Sequence, residues 1–409
     1  MSVPLPQMPS NPGPGLLEID GRTLEGGGQL LRLAVGLSAF TGIPIRITNI
    51  RGNRSAGGGL KAQHLACVNW LAHASNATVS GAEKGSKELS FAPGQIVPVS
   101  PAYTLKDNDR SGSENTFWEC RLDIKTAGST GLALQAILPF ILFRPPKNED
   151  GTLSDIPIRL TISGGTNVSA SPSYEYITQV LLPTLHEIGL PHISAVLNKR
   201  GWSHGGSNVG SFTLEILPRQ SLRLPAFHLY PKTVDTSPIF PERIDAALIA
   251  PAAAHAHLQM TLPLVLASYF GSEFSKNNGL LSLKCEDSKH DKRYYLLLVA
   301  NVSVSAPEAD DPGVLRLGRD WLYDCKVRSP EETATELAER VSRDLYAEWS
   351  SGAHVDEHMR DQLVVFQALA ESGSRTFGGV SQDGNFREQS LHATTAEWIA
   401  REMLGVGVK

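Results

Sequence analysis

A repeated pattern of a helix followed by a strand most strongly constrains the fold of this chain. Three segments have a proline near their start, then alternating apolar residues and a glycine at their end: Gly42–Gly52, Ile156–Gly165 and Gly189–Gly201. Alternation of this kind is typical of strands. A stretch with helical spacing precedes each segment: Gln29–Phe40, Gly131–Leu142 and Tyr174–Ile188. Coincidence among short strands is the alternative, but the shared features favour a duplicated supersecondary unit.

The stretch from about residue 216 to 339 interrupts this pattern. It contains a helix candidate, a charged turn, an apolar strand and a charged helix, at Arg243–Phe270, Glu286–Arg293, Tyr294–Ser303 and Glu331–Tyr346. We interpret it as an inserted, smaller α/β domain. The predicted organisation is a disordered Pro/Gly-rich leader over 1–15, a repeated-unit domain over 16–215 and 340–409, and the insertion over 216–339. The expected fold class is α/β (α+β).

Composition limits the partners that the chain can bind. The 409 residues carry a formal net charge of −5, which argues against coating nucleic acid through general positive charge. Any contact with a polynucleotide therefore needs a local basic patch. The four cysteines are far apart and form no CxxC pair, so neither a zinc site nor a disulfide framework is indicated. No apolar run approaches the roughly 18 residues of a membrane helix, so no membrane partner is expected.

Two glycine triplets near the start of the chain lie among residues suited to phosphate. One lies within Glu25–Arg32 and the other within Arg51–His64. Glycine allows the backbone N–H groups to approach an anion, and arginine supplies forked donors that match phosphate oxygens. A carboxylate such as Glu25 is better suited to a divalent cation. Turns between strand and helix are the alternative for either segment alone, but the two together favour a phosphate site.

A histidine near the C-terminus is the strongest candidate for chemistry. Thr394 and Glu397 have the spacing of a capping box, which places His392 about two residues before a helix. The helix dipole there disfavours imidazolium and keeps the ring nucleophilic, as covalent phosphoryl or nucleotidyl transfer requires. A structural histidine is the alternative.

A second helix candidate, His358–Glu371, adds polar groups on one face. His358, Asp361 and Gln362 are spaced at i, i+3 and i+4, so they share one side of its first turn. This arrangement indicates a ligand contact, although an exposed first turn would have the same spacing.

Taken in order, these segments resemble the RNA 3′-terminal phosphate cyclase family. No single motif is decisive, but the ordered set is specific and spans most of the chain outside the insertion. The matching stretches are Glu18–Arg32, Arg51–Leu65, Lys125–Gln135, Ser163–Tyr176, Val355–Ala370 and Ser390–Ala396.

The resemblance implies a fold and an activity. The fold is a large domain of three repeated units, each a four-stranded sheet with two helices, plus a smaller inserted α/β domain. In the reaction, ATP transfers AMP to a histidine and then to an RNA 3′-phosphate, and the neighbouring 2′-hydroxyl closes a 2′,3′-cyclic phosphate. ATP, Mg²⁺ or Mn²⁺ and an RNA 3′ end are the implied ligands. The implied location is the nucleus, with the cytoplasm as the alternative.

The resemblance also assigns roles to individual residues. His392 would be the catalytic nucleophile and Glu25 would assist the metal. The nucleotide pocket would be formed by Gln135, Pro172, His358, Asp361 and Gln362, with His358 at a position where relatives often have tyrosine. The phosphates of ATP or RNA would be held by Arg32, Arg51, Arg54, Gln63 and His64.

Two other functions compete with the cyclase. One is a non-catalytic, cyclase-like protein that binds RNA or a partner during ribosomal RNA processing; that branch lacks the histidine, which this chain keeps as His392. The other is a protein that adenylylates its histidine but no longer recognises RNA.

Overall fold

The computed structural model describes residues 15–55, 57–95, 97–107, 116–219, 221–229, 231, 237–276, 279–304 and 313–405. Nearly all of the expected leader, residues 1–14, lies outside these ranges. The first unit is a four-stranded sheet of order β1-β2-β4-β3 with two helices. Its elements are β1 (Leu17–Asp20), α1 (Gly28–Thr41), β2 (Ile45–Thr48), α2 (Ala62–Ala74), β3 (Thr78–Ser80) and β4 (Leu89–Ala92).

The helix α1 is the central element of the first unit. Every residue from Gln29 to Ala39 is buried, so the helix lies inside the core and not on its surface. It packs against α2 and against two helices from the other units, described below. It ends at Gly42, whose φ of 83° is the left-handed conformation that terminates many helices.

The second unit has one strand more than the resemblance implies. Its sheet has the order β5-β6-β7-β9-β8, and the additional edge strand β5 pairs with β6 as an antiparallel hairpin. A short π-helix, Ile177–Leu181, joins α4 to α5 in one continuous helical run. The elements are β5 (Thr104–Asp107), β6 (Thr116–Asp123), α3 (Thr130–Phe143), β7 (Ile158–Gly164), α4 (Tyr174–Tyr176), α5 (Leu182–Glu187), β8 (Ile193–Lys199) and β9 (Gly210–Ile216).

The third unit keeps its two helices but, within the described residues, has only a two-stranded parallel sheet. Its elements are β10 (His228–Leu229), α8 (Glu357–Leu369), β15 (Arg375–Thr376) and α9 (Leu391–Leu404). The three helix–strand segments predicted from the repeat are thus present, whereas four strands in each unit was wrong for the second and third. Burial of helix pairs drives this arrangement: α1 packs on α3 and α9, and α9 packs on α8.

The interrupting stretch forms a separate four-stranded sheet of order β12-β11-β13-β14, with two helices on one face. The predicted helix over Arg243–Phe270 was wrong in its first part, where β11 runs before α6 begins. The elements are β11 (Arg243–Ala250), α6 (Ala252–Lys276), β12 (Leu281–Asp287), β13 (Tyr295–Val304), β14 (Gly313–Leu322) and α7 (Pro330–Ser350).

Burial on both faces explains why the sequence of β11 resembled a buried helix. Alternate residues such as Ile244 and Leu248 pack under α6 and α7, while Ala247 and Ile249 pack on the main core. A strand covered on both sides is apolar at every position, so its period of two is hidden. Pairing then decides the outcome, because β11 lies between β12 and β13.

Buried polar contacts fix this sheet against the second and third units. The Tyr295 hydroxyl donates to Asp320 (2.8 Å) and is hydrogen-bonded to Ser173 in the second unit. The fully buried Asp356 accepts hydrogen bonds from the Tyr176 hydroxyl and from the Gly318 backbone N–H, at 2.7 and 2.9 Å. Displacing the sheet would leave these buried groups without hydrogen-bond partners, which costs free energy. The contacts therefore hold the sheet in one position.

The packing of α7 generates a stability prediction. Leu337 is completely buried beneath the inserted sheet, so Leu337→Ala should lower the free energy of unfolding by about 2–5 kcal/mol. Chemical denaturation measures this difference. Glu339→Ala, at an exposed position of the same helix, is the control and should change it by less than about 0.5 kcal/mol. Equal effects of the two substitutions would contradict the burial of this helix face.

Candidate active site

The three units and the inserted sheet meet around a cleft of about 900 Å³. This volume is at the upper end of the roughly 300–1,000 Å³ typical of ligand sites. The cleft wall includes eleven of the twelve residues proposed from the sequence: Glu25, Arg32, Arg51, Arg54, Gln63, His64, Pro172, His358, Asp361, Gln362 and His392. Segments far apart in the chain therefore converge on one site.

Gln135 is the exception, because it lies behind the cleft wall. Its side-chain oxygen accepts a hydrogen bond from Arg32 at 3.2 Å, since this face of α3 packs against α1. Gln135 is therefore not placed to contact a nucleotide in the cleft directly. Gln135 instead orients the guanidinium of Arg32.

One side of the cleft is strongly basic. Arg32 and Arg51 are both buried, and burial lowers the pKa of Arg32 to about 10 and also lowers the pKa of Arg51. Among the described residues, no carboxylate lies within ion-pair distance of either guanidinium. Together with Lys61 on the same wall, they form a positive surface whose charge is left for a ligand to neutralise.

His64 and Gln63 add neutral donors to this side. The Lys61 backbone N–H donates to His64 Nδ1 at 3.1 Å, so the proton of the neutral ring is on Nε2. Burial, followed by the charges of Arg32, Arg51 and Lys61, lowers the pKa of His64 to about 3. Gln63 accepts from the Ser129 backbone N–H at 3.1 Å, which fixes its amide group.

The glycine triplet at the start of α1 leaves space for two side chains of the cleft. A Cβ on Gly28 would lie 2.6 Å from His64 Nε2, and one on Gly27 would lie 2.1 Å from the carboxylate of Glu25. Any other residue at either position would displace a side chain of the cleft. The glycines thus allow α1 to begin directly against the basic wall.

Glu25 has a carboxylate suited to a divalent cation. Its side chain is 6% exposed; one oxygen pairs with Arg54, while the other is buried without a hydrogen-bond partner. No group of three or more His, Cys, Asp or Glu residues in the described part of the chain could enclose a metal. A magnesium ion would therefore need Glu25 together with the phosphates of a bound nucleotide, which is how Mg²⁺ is often held.

His392 lies in the first turn of α9, not ahead of it. The helix begins at Leu391 with Ser390 as its N-cap, whose hydroxyl accepts from the Ala393 backbone N–H at 3.2 Å. The predicted cap at Thr394 was wrong, because its supposed partner Glu397 bonds Gln389 instead. Even so, His392 remains at a helix N-terminus and is accessible from the cleft.

Gln29 is a site residue that sequence reasoning missed. Its amide nitrogen donates to Asp361 at 2.6 Å, and its amide oxygen accepts from His392 Nδ1, also at 2.6 Å. Only the amide nitrogen can donate to a carboxylate, so the amide oxygen must face the ring, and Nδ1 carries the proton. The lone pair of His392 Nε2 is consequently free. Its place inside the first glycine segment was the available signal.

The surroundings of His392 favour its neutral form. Burial lowers its pKa below the ordinary 6.5, and the positive charges of Arg32 and Arg54 add to this effect, while Asp361 opposes it. Burial also raises the pKa of Asp361. A neutral imidazole with one free nitrogen beside a cationic wall is the arrangement of an activated nucleophile for phosphorus.

His358 and its neighbours form the wall between α8 and the inserted sheet. Arg319 donates to His358 Nε2 at 3.1 Å, and because guanidinium only donates, that nitrogen must be an acceptor. Gln362 donates to Asp361 at 3.3 Å, which holds the two predicted nucleotide residues together.

The inserted sheet supplies a wall that the sequence did not indicate. The wall is formed by residues of strand β13, the carboxyl end of β14, the turn that follows β14, and helix α7. They are Tyr295, Asp320, Trp321, Leu322, Asp324 and Arg340. No motif marks them, since their approach to the cleft depends on how the sheet docks onto the units.

Comparisons with known proteins identify the family of this chain. The family model described as RNA 3′-terminal phosphate cyclase matches residues 23–409. The chain belongs to the RNA 3′-terminal phosphate cyclase family. Relatives with that name include three from different organisms. The one from Methanosarcina barkeri is 31% identical (96% of this chain, 95% of the relative), that from Pyrococcus furiosus 30% (95% and 94%) and that from Nitrosospira multiformis 31% (95% and 92%).

The comparisons do not support the nuclear location. These relatives come from archaea and a bacterium, which have no nucleus. As for membranes, the helices of the described residues are each too short or too polar to cross a bilayer.

The charges around His392 generate a pH prediction. Its protonation should have its midpoint below pH 6.5, and Asp361→Asn should lower it further, because the Asp361 charge favours imidazolium. Titration of the imidazole by NMR measures both. Asp150→Asn, at an exposed position, is the control and should leave the midpoint unchanged. A midpoint above 6.5 in the wild type would mean that the ring is solvated or paired differently.

Proposed function

We propose that this protein converts an RNA 3′-phosphate to a 2′,3′-cyclic phosphate at the expense of ATP, through a covalent histidine–AMP intermediate. The observation that carries the proposal is the chain of hydrogen bonds from Asp361 through Gln29 to His392 Nδ1. It leaves Nε2 unprotonated, on a ring that lines a cleft with buried guanidinium groups. Family membership supports the same assignment.

The first step is transfer of AMP to the protein. His392 Nε2 attacks the α-phosphorus of ATP, a P–N bond forms, and the bond to the pyrophosphate oxygen breaks. Arg32, Arg51 and Arg54 neutralise the charge that develops on the leaving group, and a divalent cation held by Glu25 would add positive charge there. The imidazole becomes positive as it is adenylylated, and Asp361 stabilises that charge through the polar amide of Gln29.

The later steps return the protein to its starting state. An oxygen of the RNA 3′-phosphate attacks the phosphorus of the bound AMP; the P–N bond breaks, and its electron pair returns to Nε2. The RNA then carries AMP in a phosphoanhydride. The vicinal 2′-hydroxyl attacks the 3′-phosphorus, and AMP leaves with the bridging oxygen and takes up the proton of the hydroxyl. Atoms and charge balance without another reactant.

The runner-up function is a non-catalytic protein of ribosomal RNA processing. Such a protein needs no nucleophile, whereas here His392, Gln29 and Asp361 form an ordered set with 2.6 Å contacts. This observation favours the enzyme. A nuclear location remains a prediction of the resemblance alone.

Labelling tests the covalent intermediate. The wild type, incubated with α-labelled ATP and Mg²⁺, should retain an acid-labile, alkali-stable label after denaturing electrophoresis, as a phosphoramidate does. His392→Ala should abolish the label while leaving the fold intact, because the side chain faces the cleft. His73→Ala, exposed on α2, is the matched control and should label normally. An unlabelled wild type that is folded would shift the assignment to the non-catalytic function.

The unpaired oxygen of Glu25 generates a prediction about the metal. Glu25→Gln should raise the Mg²⁺ concentration for half-maximal labelling by about tenfold or more, because changes around a metal ligand commonly cost that much affinity. Titration of labelling rate with Mg²⁺ measures it. Glu88→Gln removes an exposed carboxylate that also pairs with an arginine, so it is the control. An unchanged Mg²⁺ requirement would exclude Glu25 as a ligand.

A further inference from the structure

The wall that the inserted sheet adds to the cleft has no role in adenylylation as derived above. We call it the insertion wall, and it consists of Tyr295, Asp320, Trp321, Leu322, Asp324 and Arg340. It lines the same cavity as His392 but belongs to different elements, β13, β14, the turn that follows β14, and α7. Its chemistry therefore indicates what else the cleft receives.

The charges of the insertion wall differ from those of the basic side of the cleft. The basic side of the cleft carries four cations, Arg32, Arg51, Arg54 and Lys61, against the single carboxylate of Glu25. The insertion wall carries one cation, Arg340, against the carboxylates of Asp320 and Asp324. One guanidinium suits one phosphodiester, and carboxylates suit hydroxyl or amino donors.

Arg340 is exposed and lies over an aromatic ring. Its guanidinium lies 4.0 Å from the centroid of the Trp321 ring, and its side chain is 46% exposed. Within the described residues, its only ion pair is a long one, from Arg340 Nε to Asp344 Oδ2 at 3.9 Å. The Trp321 indole N–H donates to Asp324 at 3.3 Å, which fixes the ring beneath it. A guanidinium plane backed by an aromatic ring is a surface on which unpaired bases stack.

We propose that the insertion wall binds the RNA strand on the 5′ side of the reacting nucleotide, with Arg340 as its main contact. This proposal rests on the proposed function, which requires ATP and an RNA end in one cleft. The base of the preceding nucleotide stacks on the guanidinium of Arg340, whose N–H groups face the phosphodiester. Asp324 accepts from a ribose hydroxyl or a base amino group. Through Arg340 the site thus prefers an RNA strand to a single nucleotide.

Kinetics with two substrates test this subsite. Arg340→Ala should raise KM for a 3′-phosphorylated oligoribonucleotide by about tenfold, since stacking of a base is worth about 1–3 kcal/mol. KM for a nucleoside 3′-phosphate, which lacks a preceding nucleotide, and KM for ATP in the labelling reaction should not change. Arg340→Lys keeps the charge but not the plane, so it should restore binding only in part.

Controls and direct binding separate the possible failures. Arg343→Ala removes an arginine of the same helix whose side chain is 61% exposed and that does not line the cleft, and it should behave as wild type. A raised KM for ATP would assign the wall to the nucleotide and overturn the proposal. Equal effects on the KM of the oligoribonucleotide and of the nucleoside 3′-phosphate, or no effect on either, would also overturn it. Fluorescence anisotropy with the labelled oligoribonucleotide requires no catalysis. If the wild type forms no AMP adduct, the proposed function fails, whereas weaker RNA binding by Arg340→Ala would still support the subsite.

Discussion

The hydrogen bonds of Gln29 connect the parts on which the site depends. Gln29 is in the first turn of α1, a helix of the first unit, whereas Asp361 and His392 belong to two helices of the third unit. Because α1 is buried over nearly its whole length, its first turn has a fixed position relative to α9 and α8. The rigid packing of the repeated helices thus holds the amide where it sets the tautomer of His392. A loop could not fix two 2.6 Å contacts equally well.

The same packing explains the unusual electrostatics of the cleft. Burying Arg32 and Arg51 costs free energy, because the described residues give neither a carboxylate partner. That cost is offset by the core that surrounds them and, on binding, by the phosphates that supply the missing negative charge. The arrangement also reconciles a net charge of −5 with an RNA end as substrate. The cleft has a local excess of positive charge, whereas the protein as a whole has a net negative charge.

Most of the residues proposed from the sequence line one cleft. They could be proposed because they lie in segments with their own local signals. The glycine triplets, the spacing of His358, Asp361 and Gln362, and the helix after His392 are all readable along the chain. Sequence reasoning failed where the outcome depends on partners distant in sequence: β11 resembled a helix until its pairing with two strands is known, and Gln135 looked like a cleft residue although it packs behind Arg32. The strand number of each unit likewise depends on pairing and not on periodicity.

The insertion wall could not be predicted from the sequence for the same reason, because it also depends on residues distant in the chain. Trp321 and Arg340 are nineteen positions apart, on a strand and a helix, and neither stands in a motif. Only the docking of the sheet onto Asp356 and Ser173 therefore brings them to the cleft. That docking uses fully buried hydrogen bonds, which tolerate little displacement. If the insertion wall binds RNA as proposed, the inserted domain can alter which strands the site accepts while the units keep His392, Glu25 and the guanidinium groups unchanged. On that proposal, substrate choice and nucleotidyl transfer are separable by substitution, because they depend on side chains held by two different cores.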